Sequence, residues 1–168
     1  MAAVVSLRLA APGEDFEFLS ALARDPAVEP YLAPGRGEPT ALAELAGPPS
    51  EPPQGVYLID TPPGRPVGGL ALTVVNRRSR ICDLSRVMLS PDARGAGIAV
   101  EAVRLMCRAV LVDREFHRIE AQVYGDNVAG QRLFERAGFT REGIRRRAYW
   151  RRAQWLDGVY YGLLAEEL

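Results

Sequence analysis

The stretch from Val87 to Ala99, Val-Met-Leu-Ser-Pro-Asp-Ala-Arg-Gly-Ala-Gly-Ile-Ala, constrains the fold more than any other part of the chain. An apolar run ends at Ser90-Pro91, a short polar turn follows, and an amphipathic pattern begins directly after Arg-Gly-Ala-Gly. That is a strand, a glycine-bearing loop and a helix start. At such a junction bare backbone N–H groups can face an anion with the helix dipole behind them. Gly95 and Gly97 have no Cβ, so a ligand can approach the main chain and unusual dihedrals cost little. The junction reads as a pyrophosphate cradle.

Spacing narrows the ligand. A P-loop needs Gly-Lys-Ser/Thr after the first glycine and its spacer, but all 21 basic residues here are arginine. A dinucleotide fingerprint wants Gly or Ala three residues beyond Gly97, where Val100 stands. The remaining string, Val-x-Leu-x-Pro-x-x-Arg-Gly-x-Gly-x-Ala, resembles the coenzyme A loop of the GNAT superfamily of N-acetyltransferases. A second block strengthens the resemblance. Phe116-His117-Arg118-Ile119-Glu120-Ala121-Gln122-Val123-Tyr124 precedes Asp126-Asn127, then Arg132-Leu133-Phe134-Glu135-Arg136-Ala137-Gly138-Phe139. These segments and the tail from Arg145 through Trp155-Leu156-Asp157 to Leu164 are most similar to the Rim-type branch, which includes enzymes that acetylate ribosomal-protein N-termini. The resemblance is dense over residues 81–168 and diffuse over 1–80.

At 168 residues the chain is long enough for one domain with a full core, and a single acetyltransferase domain over 1–168 is expected. Cys82 and Cys107 sit in apolar patterns and read as buried thiols, with no disulfide framework or zinc site. No apolar run approaches bilayer length, and no basic stretch leads into an apolar one at the start. A cytoplasmic protein is the expectation. The arginine-only basic set, with abundant Ala, Gly and Pro, reads as the codon bias of a GC-rich bacterial genome. Charge is uneven: residues 1–60 carry a net −6 and residues 61–168 a net +6. The basic half contains the coenzyme-type loop, which suits a ligand bearing several phosphate charges.

Along the chain, Val4–Leu9 alternates as a first strand and Glu14–Arg24 forms an amphipathic helix stopped by Pro26. A short helix over Thr40–Ala46, capped by Thr40, precedes a stiff Pro-rich loop at 47–53. Val56–Ile59 and Val67–Val75 read as strands around a Pro/Gly turn, and Asn76–Arg80 turns into a strand at Ile81–Leu89. Val100, Val103, Met106, Cys107, Val110 and Leu111 give the next helix its core stripe. Arg118–Val123 is a strand, and Asp126 or Asn127 caps a helix ending at Gly138. Arg141–Tyr149 and Leu156–Leu164 close the chain as paired strands. The order predicts an α/β fold of mixed-sheet (α+β) type. The resemblance implies a mostly antiparallel sheet, splayed at the coenzyme-binding strand and flanked by helices.

The resemblance also implies the chemistry. Acetyl-CoA would serve as co-substrate, held by Val87, Met88 and Leu89 of the splayed strand, by Arg94, Gly95, Ala96, Gly97, Ile98 and Ala99 of the loop, and by Asn127. Main-chain groups of Val87–Leu89 would hold and polarise the thioester, an oxyanion-type role. Arg94 can donate to phosphate or shape the loop, and Asn127 can contact the coenzyme or cap its helix. A carboxylate must take a proton from the amine before attack, and Asp83 and Glu120 are the candidates. Taken singly, each reads first as an edge or cross-strand charge paired with arginine. No metal is expected.

Two positions depart from the family pattern. Gly130 stands where many Rim-type proteins have serine, and Phe134 where many relatives have a thiolate-protonating tyrosine. Tyr124, Tyr149, Tyr160 and Tyr161 are unranked candidate substitutes, and a coenzyme A thiolate can also take its proton from water. The acceptor reads as a primary amine, either a protein N-terminus or a small molecule, and a homodimer is allowed. The alternative is a GNAT-fold domain that binds coenzyme A with little or no catalysis. His117, the sole histidine, excludes multi-histidine metal sites and reads as a structural hydrogen-bonder. The arginines between Arg141 and Arg152 read as a solvated hairpin rather than a nucleic-acid surface. No membrane partner is expected.

Overall fold

The computed structural model describes residues 4–46 and 54–168; the Pro-rich loop expected at 47–53 lies outside the described residues. Seven strands form one sheet in the order β1-β2-β3-β4-β5-β7-β6. They are β1 (Ser6–Leu9), β2 (Gly55–Asp60), β3 (Pro66–Asn76), β4 (Ile81–Leu89), β5 (Arg118–Tyr124), β6 (Thr140–Arg151) and β7 (Gln154–Leu164). Every contact is antiparallel except β4–β5. This is the mixed α/β sheet that the order of elements predicts, and it is mostly antiparallel, as the resemblance implies.

Alternation along the strands builds two cores. Leu58 faces α1 (Glu14–Ala23) and α2 (Pro39–Ala46), together with Val56, Ala71 and Met88. Its neighbour Ile59 turns to the opposite layer, as successive residues of a strand must. There Leu72, Cys82, Leu84 and Ile119 meet α3 (Ile98–Arg108) and α4 (Val128–Ala137). In α3 the expected stripe holds from Val103 through Met106 and Cys107, and continues over Val110 and Leu111 in a π-helical turn at Ala109–Asp113. Val100 is only partly buried. Each fully buried aliphatic side chain contributes about 1.5–3 kcal/mol, so this stripe fixes the helix that begins at the glycine loop.

Several boundaries differ from expectation. β1 starts at Ser6, where pairing with Asp60 of β2 begins, rather than at Val4. The second helix starts at Pro39, and the carbonyl of Glu38 accepts the Leu42 N–H. Thr40 therefore lies inside the first turn and is not the cap, because Pro at the first helical position needs no N–H partner. β6 and β7 extend to Arg151 and Gln154, and the exposed Trp150 and Trp155 pair across the hairpin with ring centroids 5.2 Å apart.

Two glycines in β3 set β4 in place. A Cβ on Gly68 would lie 2.2 Å from the Met88 carbonyl oxygen, and one on Gly69 2.3 Å from Leu19 Cδ2. The bare backbone thus lets β4 close onto β3 at Met88 and lets α1 seat against the sheet.

Candidate active site

β4 and β5 pair only through Ile81–Arg118, Cys82–Ile119 and Asp83–Glu120. Past that rung they share no ladder, and Leu84–Leu89 has no strand on its β5 side. The reason lies in β4. Its pairing with β3 passes from Ala71–Ser85 to Gly69–Met88, so Arg86 and Val87 together oppose Leu70. Arg86 takes a positive φ of 52° to do so. Two residues against one is a β-bulge, which bends a strand and increases its twist. The splayed strand implied by the sequence is therefore present, and a bulge centred on Arg86 accompanies it.

A cavity of about 920 Å³ occupies the wedge between the parted strands. Val87, Met88 and Leu89 form one wall, with Arg94, Gly95, Gly97, Ile98 and Ala99 at the loop and Asn127 opposite. Of the expected coenzyme residues, Ala96 alone does not reach the wall. Gly95 and Gly97 have φ of 80° and 79°, which glycine adopts without a Cβ penalty. A Cβ added at either would meet nothing within 4 Å, so the loop faces open space. The first-turn N–H groups of α3 have no partner within the helix and sit at its positive end.

Arg94 shapes this loop. Its Nε donates to the Leu89 carbonyl at 3.0 Å, and its guanidinium lies 3.3 Å from Asp25. The Ala27 N–H, and then Arg94, hold the Asp25 carboxyl below its usual range. Asn127 caps α4, its Oδ1 accepting the Gly130 N–H at 2.9 Å. Gly130 is crowded: a Cβ there would lie 2.7 Å from Asn127 Nδ2 and 2.9 Å from Val123 Cγ1.

The two candidate bases form the last rung before the strands part, but their surroundings differ. Asp83 lines the cavity, and burial pushes its carboxyl up to about 6. The nearby Glu120 charge adds to the rise, while Arg86 and Arg36 oppose it. Glu120 does not line the cavity. It accepts a hydrogen bond from Arg118 Nε at 3.3 Å, and Arg118 also binds Glu142 through both terminal nitrogens. Glu120 is thus paired with an arginine of its own strand, and Asp83 is the carboxyl that faces the open wedge.

Of the four candidate tyrosines, Tyr124 and Tyr149 reach the cavity and Tyr160 and Tyr161 do not. The Tyr149 hydroxyl donates to Gln122 Oε1 at 2.8 Å, and burial raises its phenol above the usual value. Tyr161 donates instead to Glu135. Phe134 is both wall and core, with Phe139 and Tyr161 rings at 5.1 and 6.0 Å. His117 is exposed and bonds through its main chain, its N–H to the Arg80 carbonyl and its carbonyl to the Ala165 N–H, so its side chain is not the structural hydrogen-bonder expected. Burial pushes both cysteine thiols up to about 12. Among the described residues no cluster of three or more His, Cys, Asp or Glu could hold a metal, and no helix is long and apolar enough to cross a membrane.

Sequence reasoning missed Arg36, Arg86 and Gln122, all on the cavity wall. Arg86 carried a signal, an arginine next to Val-Met-Leu in an otherwise largely apolar strand. Arg36 gave none, because it lies in the irregular segment between α1 and α2.

Comparison with known proteins agrees with this geometry. A family model described as an acetyltransferase (GNAT) domain matches residues 5–140. RimJ from Mycobacterium smegmatis, solved with CoA-disulfide, is 24% identical with a TM-score of 0.83, over 99% of this chain and 85% of that one. Spermidine N-acetyltransferase from Vibrio cholerae, solved with CoA and spermine, is 18% identical with a TM-score of 0.82, over 97% and 96% of the chains. A GNAT-family acetyltransferase from Bacillus anthracis is 19% identical with a TM-score of 0.80, over 99% and 98%. These likenesses establish the fold, and the family model establishes the kinship: the chain belongs to the GNAT acetyltransferase family.

Proposed function

We propose that the chain, acting as one domain over residues 1–168, transfers an acetyl group from acetyl-CoA to a primary amine by direct attack. The observation that carries this reading is the wedge between β4 and β5, with a glycine-lined helix start on one side and a half-buried carboxyl at its apex. The open space before Gly95 and Gly97 and the free N–H groups of α3 fit a pyrophosphate. The unpaired edge of Val87–Leu89 offers main-chain donors to a polarised carbonyl. Acetyl-CoA supplies the thioester, whose C–S bond breaks as the new C–N bond forms.

Asp83 serves as the base, taking a proton from the incoming ammonium so that a lone pair is free. A carboxyl titrating near 6 is ionised at neutral pH yet more basic than an exposed aspartate. The departing thiolate takes its proton from Tyr149 or from water. Glu120 modulates Asp83 through its charge. The Rim-type wording of residues 81–168 supports a protein N-terminus as acceptor over other amines.

The test pairs calorimetry with thiol release. Acetyl-CoA should bind and raise the melting temperature. Asp83→Asn should keep that affinity while turnover falls by about 10²-fold or more. Full activity in Asp83→Asn would remove it as base. Coenzyme binding with no thiol release across varied peptides, polyamines and aminoglycosides would favour the binding-domain alternative.

A further inference from the structure

The wall around Asp83 carries a charge pattern that the acetyl-transfer chemistry does not use. Arg36 and Arg86 both line the cavity, and both act electrostatically on Asp83. Burial, and after it the like charge of Arg36, makes Arg86 easier to deprotonate than usual. The Nε of Arg86 is buried and has no hydrogen-bond partner among the described residues. A desolvated donor left unmade is unfavourable, and two guanidinium groups gathered beside one carboxyl leave an excess of positive charge. Among the described residues no second carboxylate lines the wall to offset it, since Glu120 lies off the cavity and is held by Arg118.

An ammonium group alone needs one carboxylate, which Asp83 provides. A donor fork beside that carboxylate suits an anion, because guanidinium binds carboxylate oxygens through paired, charge-assisted hydrogen bonds. We infer that the acceptor is an amine with a carboxylate a few bonds from its nitrogen, the ammonium meeting Asp83 and the carboxylate meeting Arg86 and Arg36. An acidic residue just after a peptide N-terminus and a small amino-carboxylic acid both carry this chemistry. A polyamine does not, and its second ammonium would face the two guanidinium groups. The spermine-bound Vibrio structure therefore shares the fold while the electrostatics of this wall point to an acceptor of opposite sign. This inference rests on the acetyltransferase reading above.

The experiment measures kcat/KM by thiol release for two matched pairs and for spermidine. The peptide pair is Ala-Glu-Ala amide against Ala-Gln-Ala amide, with the same terminal amine. The small-molecule pair is 4-aminobutyrate against its amide. In at least one pair the acid should be preferred by about tenfold or more, as a desolvated ionic contact supplies. The pair that shows it identifies the source of the carboxylate. Arg86→Gln and Arg36→Gln should each shrink the ratio, and spermidine should be the poorest acceptor. Arg36 is exposed and lies outside helix and strand, so its variant keeps the test valid if Arg86→Gln fails to fold at the bulge. Ratios near one in both pairs, a ratio that survives Arg36→Gln and any folded Arg86→Gln, or a preference for spermidine would overturn the inference while leaving acetyl transfer intact. Thiol release from no amine at all, with acetyl-CoA bound, would instead overturn the acetyltransferase reading and this inference with it.

Discussion

Replacing Asp83 by asparagine should make the protein more stable at neutral pH while disabling its chemistry. Burial holds the Asp83 carboxyl near 6 in the folded chain against an ordinary 3.8. A raised folded value means that the folded state binds the proton more tightly than the unfolded state. Its stabilisation is complete below 3.8 and is lost as pH rises through about 6. Roughly two pKa units at 1.36 kcal/mol each put the cost of the ionised carboxylate at about 3 kcal/mol by pH 7.5. At pH 4.5 the same relation leaves about 1 kcal/mol. Asparagine carries no charge to desolvate, so Asp83→Asn should gain close to these amounts. For a chain of this size that is a rise of about 6–12 °C in Tm at pH 7.5, shrinking towards acid. Thermal and urea melts of both proteins, without coenzyme, at pH 4.5, 6 and 7.5 measure it. Stability curves that run parallel across this range would refute the reasoning, because a gain from packing alone has no pH slope. A loss at pH 7.5 would show that the carboxylate is better solvated than its place at the apex implies.

Two further outcomes follow from the same geometry. Glu120→Gln removes a negative charge that raises Asp83, so the acid limb of the kcat/KM profile should move to lower pH, with activity retained further into acid; an unmoved limb would separate the two carboxyls. Gly97→Asp and Gly97→Asn strain the same left-handed backbone to a similar degree, but only the aspartate places a carboxylate at the start of α3. Calorimetry should show acetyl-CoA affinity lost far more in the aspartate than in the asparagine variant, and equal losses would take the loop out of phosphate binding.

The sequence was most legible where local chemistry and tertiary role coincide. Gly95 and Gly97 announce a backbone conformation that only their own dihedrals require, and the structure shows both left-handed. The capping role of Asn127 is likewise a three-residue affair, closed by the Gly130 N–H. Thr40 misled because a capping residue and a proline were adjacent, and the proline set the start. The difference between Asp83 and Glu120 was out of reach, since it depends on Arg118 turning towards Glu142 on β6, a strand that lies beyond β7 in the sheet. Arg36 was invisible for the same reason: its place near Asp83 arises from how the segment between α1 and α2 lies along the cavity.

The crowding around Gly130 bears on how this chain can change over generations. A serine cannot simply be exchanged into this position, because its Cβ would press on the rigid branched side chain of Val123 and on the amide that caps α4. The cap would have to loosen, or position 123 shrink, before the larger residue became tolerable. The mutational path to a hydroxyl at 130 therefore passes through an intermediate with a weakened helix start or a hollowed strand, either of which selection tends to remove. A chain with glycine here is held there by its neighbours, and the easier innovation is to recruit a hydroxyl from elsewhere on the wall, where Tyr149 already stands.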